Sequence, residues 1–277
     1  MTSQTASDDN VTEQDMTFTK ELRAATKEVH KISDVLVNAK FAFALSDDAV
    51  WYDGLLSFYE IYKFLERNLP QELLPKELHR TQSFEKDFDF FYGENWRDTY
   101  EIRPAVRKYL DHLEEVNKKD KLLLFAYAYQ MYMALMSGGQ LLQKKRMIAR
   151  KLWPGSNGVT EEEEKQPLSE EPSNPDDLTT RPMPIQVSIC PEGCSATYFT
   201  EKITVLKGKL RKVLNDNYGK FDEQMKAAFI EESKNVFLFN SDVVRSIKGV
   251  NRANIRKLAI VVVFFVSIYF AIKLARR

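Results

Sequence analysis

The sequence is poor in the residues that most often carry chemistry. It has two cysteines, Cys190 and Cys194, and three histidines in 277 residues. Two thiols cannot build a disulfide framework, which favours a reducing compartment. Ten glycines and few alternating apolar–polar stretches argue against a sheet protein. Forty basic residues balance forty acidic ones, so no overall charge points to nucleic acid. There is no phosphate-binding glycine loop, no dinucleotide fingerprint, no H-E-x-x-H and no paired CxxC. The first residues, "MTSQTASDDNVTEQD", lack the apolar core of a signal peptide.

What is present is helical patterning. Residues 1–16 read as a disordered tail, and from Thr17 to about Trp153 one apolar-striped helix follows another. "RPAVRKYLDHLEEVN", residues 103–117, opens with proline near a helix start. A long helix is expected over 121–153. Residues 154–196 read as a flexible acidic insertion, because the acid, proline and serine of "TEEEEKQPLSEEPSNPDD" cannot bury a core. Helices resume over 201–218 and 222–249. A basic segment, 250–257, carries Arg252, Arg256 and Lys257. It precedes "LAIVVVFFVSIYFAIKLA", residues 258–275, whose eighteen residues span about 27 Å as a helix, close to the hydrocarbon thickness of a bilayer. Such a run predicts a tail anchor, with the preceding domain in the cytosol. The fold expected is all-α, a single multi-helix domain with a C-terminal transmembrane helix.

Two stretches call for a special explanation. His30 lies in "ELRAATKEVHKISD" with Arg23 and Lys27 on nearly the same helix face and Asp34 one turn on. It reads either as a solvated histidine or as a metal ligand whose second ring N–H is held by Asp34. Gly138 and Gly139, in "MYMALMSGGQLLQKKR", interrupt an apolar helix, where each glycine costs roughly 1 kcal/mol relative to alanine. They suit either close helix packing or backbone approach to a flat, bulky group. "CPEGC", residues 190–194, suits either two incidental thiols or a thiolate site.

"ATKEVH" (25–30) and "SGGQ" (137–140) resemble the proximal and distal helix motifs of the heme oxygenase family. "ELHR", "FFYGENW", "PAVRKYLDHLEEV" and "FIEESKNVFLFN" match further family segments in order, so the resemblance spans roughly 17–153 and 197–245. It implies a heme oxygenase-like fold in which heme, both substrate and prosthetic group, is cleaved to biliverdin, CO and ferrous iron. The reaction would use O2 and electrons from NADPH through a reductase. By this resemblance His30 is the iron ligand, and Arg23, Lys27, Lys207 and Arg211 face the propionates. Tyr62 and Tyr129 line the pocket, while Ser137, Gly138, Gly139 and Asn240 serve the distal side. The implied partners are an NADPH–cytochrome reductase on a basic face around Lys144, Lys145, Arg146 and Lys207, biliverdin reductase, and the bilayer, with no nucleic acid. The implied address is the endoplasmic reticulum membrane, facing the cytosol.

The sequence departs from the family where a distal Gly-x-carboxylate pattern is expected. Ala134 and Leu135 stand before the SGGQ motif, with Met131 in place of an upstream arginine. Leucine cannot organise the waters that deliver protons. The expectation is therefore a slower or less regioselective oxygenase, or alternatively a non-catalytic heme-binding sensor or buffer at the membrane.

Overall fold

The computed structural model describes residues 8–41, 44–152 and 192–275. Among these there is no strand. The helices are α1 (Asp8–Phe41), α2 (Asp48–Asn68), α3 (Thr81–Tyr92), α4 (Trp96–Thr99), α5 (Pro104–Lys119), α6 (Lys121–Ala134), α7 (Gln140–Leu152), α8 (Ile203–Tyr218), α9 (Glu223–Ser246) and α10 (Val250–Ala275).

Local sequence sets most of the boundaries. Asp47, Asp120 and Asp222 accept backbone N–H groups at the starts of α2, α6 and α9, and Pro104 occupies the first turn of α5. Gly249, at φ 76°, makes the sharp turn between α9 and α10. α1 is described from Asp8, within the 1–16 stretch read as a disordered tail.

α6 is the centre of the domain. Every residue from Leu123 to Tyr129 is buried, so the helix is apolar on all sides and must be surrounded. α5 and α9 flank it, α2 crosses it, and α1 packs along α9. Two of the three histidines are held by internal pairings. His79 Nε2 lies 3.2 Å from Leu74 O, and His112 Nε2 lies 2.7 Å from the Tyr127 hydroxyl and 3.1 Å from Glu232. Burial alone would raise the Glu232 carboxyl, but hydrogen bonds from Tyr127, Asn235 and His112 outweigh it and hold it below its usual range.

The structure changes three further expectations. The helix expected over 121–153 is broken by a π-helical turn, Leu135–Gly139, between α6 and α7. Residues 192–196, placed at the end of a flexible insertion, are docked. Buried Asp87 accepts the N–H groups of Ser195 at 2.7 Å and Ala196 at 2.9 Å, and Tyr52 donates to Gly193 O at 3.0 Å. Burial raises the Asp87 carboxyl, against the pull of those same N–H groups. The rest of the insertion, with Cys190, lies outside the described residues. The basic segment 250–257 is the first part of α10, with Val250, Ala253 and Lys257 buried against the ends of α1 and α2.

Arg146, expected on a basic docking face, is 2% exposed. Its guanidinium lies 2.7 Å from Asp48 and over the rings of Trp51 and Tyr52. Asp48→Ala leaves that cation buried without its carboxylate. We expect it to cost about 3–5 kcal/mol, measured by chemical denaturation.

Candidate functional site

Side chains of α1 act on the α6–π–α7 rod at two places, electrostatically near Tyr129 and by a hydrogen bond at Lys145. At one end Arg23 and Arg211 both act on the Tyr129 phenol, Arg211 through a hydrogen bond. Burial still wins there, pushing the phenol above its ordinary value against the lowering pull of Arg211 and Arg23. At the other end Lys145 Nζ donates to Asn38 Oδ1 at 3.1 Å. Fifteen residues of α1 and sixteen of the rod separate these two places, roughly 22 Å of helix. In that interval His30, Ser137 and Gly138 are exposed, while Thr26 and Met136 are buried.

His30 is on the α1 wall, its side chain 57% exposed. Its Nδ1 lies 3.0 Å from Asp34 Oδ2. Its ring packs edge-on to Phe237 of α9, with centroids 5.3 Å apart. Three residues further along α9, Asn240 holds an Oδ1 that is buried without a hydrogen-bond partner. Such an orphan acceptor marks a place where water or a ligand group belongs. Lys27 is exposed one turn after Arg23, and Lys207 and Arg211 lie one turn apart on α8.

The other element with unusual residues is the π turn. A Cβ built on Gly138 meets nothing within 4 Å, so this glycine is not there for packing among the described residues. At Gly139 a Cβ would come within 3.0 Å of Leu135 Cδ1, because the leucine side chain covers it. Side chains add hydrogen bonds to carbonyls at the end of α6. Ser137 Oγ donates to Met133 O at 2.8 Å, and Tyr62 donates to Met131 O at 3.1 Å. Tyr62, expected to line the pocket, is instead 4% exposed, wedged in the core between Phe84 and Tyr132. It supports the turn from below.

His30 beside Asp34 on α1, the open position at Gly138 in the π turn, and Arg23 and Arg211 acting on Tyr129 are the features of this region. A model of the heme oxygenase family matches residues 16–246. The chain belongs to this family. It is 35% identical to human heme oxygenase 1 over 151 residues, covering 50% of this chain and 51% of that protein. It is 31% identical to heme oxygenase 2 of Macaca fascicularis over 145 residues, covering 47% and 45% respectively. The chain thus spans about half the length of the curated relatives it matches. The fold also matches a crystal structure of heme oxygenase-1 from the cyanobacterium Synechocystis in complex with heme. The TM-score is 0.62 at 22% identity, over 91% of this chain and 99% of that one.

Read as a heme oxygenase slot, the wall has a support that sequence reasoning missed. Gln140 donates through Nε2 to Thr197 O, and Thr197 donates through its hydroxyl to Gln143. The roof helix is therefore clasped to the 195–197 turn that Asp87 grips. The one signal for it was the last letter of "SGGQ". Gly138 gives a direct test of what the glycines are for. Gly138→Ala should stabilise the ligand-free protein by about 0.5–1 kcal/mol, because alanine favours helix and the space is open. The same methyl should weaken hemin binding. Denaturation and hemin titration of the one variant check both signs.

Proposed function

We propose that the chain is a heme oxygenase that opens the heme ring to biliverdin, CO and ferrous iron, using O2 and electrons passed from NADPH by a reductase. What supports this reading is the family match over residues 16–246, with His30 beside Asp34 on α1 and the open backbone of Gly138 in the π turn. Heme, when bound, supplies the redox centre and is itself the substrate. The protein's part is seating, proton supply and exclusion of water.

Asp34, 3.0 Å from Nδ1 of His30, would accept its N–H and leave Nε2 free to hold the iron. Arg23, Lys27, Lys207 and Arg211 would hold the propionates by charge-assisted hydrogen bonds, fixing which ring edge lies deepest. Gly138, with no side chain near it, would let backbone approach the ring. Leu135 brings no proton there, so the polar groups left to order water are Ser137 and Asn240. We expect a lowered rate or altered regiospecificity on that ground. The α10 helix supports a membrane seat, and we assign the endoplasmic reticulum with the domain facing the cytosol. Biliverdin reductase would then consume the product.

Leu135 favours a second reading, a heme-binding sensor or buffer without turnover. Reconstitution with hemin, NADPH and a reductase separates the two. The expected result is loss of the Soret absorption with a bilin recovered by chromatography. A Soret band that persists, with no bilin, would establish the sensor reading. Hemin titration with no Soret shift would remove both.

A further inference from the structure

The junction of α10 with the domain has no slack. Asn254 donates to Lys40 O at 3.0 Å, Arg256 lies 3.3 Å from Asp47, and Lys257 donates to the Ser46 hydroxyl. The next residue, Leu258, is 53% exposed and begins the unbroken apolar run. α10 is long and apolar enough to cross a membrane, with a mean hydropathy of 2.2. On the reading that it does so, on which this inference rests, Leu258 enters the hydrocarbon. The headgroup layer above it is only about 5–8 Å thick on each side. Ser46 and Asp47, touching Lys257 and Arg256, therefore lie in or against that layer.

The same junction brings a second helix to the lipid. Asp48, the neighbour of Asp47, holds Arg146 at 2.7 Å and Arg150 at 3.7 Å. These two arginines bracket Met147 and Ile148, so the C-terminal half of α7 is pinned beside the point where the chain inserts. α7, "QLLQKKRMIARKL", contains no acidic residue. Leu141, Lys144, Lys145 and Ile148 fall within an arc of about 100° on its surface, and all four are exposed. Met147 is exposed beside them. Isolated in water, exposed leucine and isoleucine between lysines gain nothing. At an interface the apolar chains enter the acyl boundary, and the ammonium groups meet lipid phosphate and carboxylate.

We propose that α7 lies on the bilayer surface through Leu141, Lys144 and Ile148, its partner being the anionic lipid of the membrane that α10 enters. α7 continues directly from the π turn that walls the slot. The slot mouth then opens at the lipid surface, and a sparingly soluble macrocycle passes into it from the membrane without crossing water. Lys144 and Lys145 leave the reductase-docking face, which falls to the Lys207 side of the slot.

The test uses the full chain in vesicles containing anionic lipid, with Cys190→Ala and single nitroxide labels at Lys144→Cys, Ile148→Cys, Phe265→Cys and Glu72→Cys. Cys194 is buried and should resist labelling. Glu72 lies past the far end of α2 from Asp48. Collision ratios for oxygen over a soluble nickel chelate should shift towards the Phe265 value at 148 and 144, and remain aqueous at 72. A Leu141→Asp, Ile148→Asp variant labelled at Met147→Cys should return to the aqueous ratio. Lipid contact at 265 with water-like ratios at 144 and 148 would overturn the proposal and leave the anchor intact. A water-like ratio at 265 would sink the anchor reading and the proposal together.

Discussion

Replacing His30 with alanine is expected to remove the axial imidazole signature from the ferric heme spectrum and to lower bilin formation by at least about 100-fold. Loss of an outer partner of a metal-bound histidine alone costs about 10–100-fold, and loss of the ligand costs more. The structure supplies the graded comparison. Asp34 sits 3.0 Å from Nδ1 and, on the proposed reading, would act on the iron only through the ring. Asp34→Ala should therefore keep the imidazole spectrum while weakening hemin retention by about 10-fold or more. Neither change should destabilise the fold strongly, because both side chains are more than half exposed and His30 loses only its edge contact with Phe237. Spectra, hemin off-rates and single-turnover bilin yields check the pair. An unchanged spectrum in the His30 variant would mean that iron is held elsewhere.

Leu135→Asp has the second large expected effect, of opposite sign. The leucine covers Gly139 in the π turn, where the family resemblance implies a carboxylate. A carboxylate there could order water towards bound oxygen, a type of contribution worth about 10²–10⁴ in rate. With Met131 still in place of an upstream cation and Ala134 still adding a methyl, part of that gain is withheld. We expect turnover to rise by about 10–100-fold. The bilin isomer ratio should change with it, since water placement and ring seating share this wall. Pairing the change with Ala134→Gly should increase the effect. The measurement is initial bilin rate with isomer analysis. An unchanged rate would place proton delivery on the Asn240 side, where the unpartnered Oδ1 lies.

The legible part of this protein was what short spacing encodes. Pro104, Asp120 and Asp222 mark helix starts because caps act within one turn. His30 and Asp34 are neighbours through i,i+4 geometry, and the Leu258–Ala275 run is apolar on every face. The glycine pair announced an unusual wall, though not its form. A π turn depends on which carbonyls find other donors, and those donors, Ser137 and Tyr62, are only partly local.

The sequence by itself determined the helical class, the cleft's residue types and the apolar tail. Each follows from composition or from periodicity within one element. Tertiary structure alone decided that Arg146 pairs with Asp48 across 98 residues, that Tyr62 is a buttress, that Gln140 clasps Thr197, and that residues 250–257 are a docked stem. A basic side chain looks the same in sequence whether it faces water or a buried carboxylate. Only the long-range partner that repays its desolvation distinguishes them.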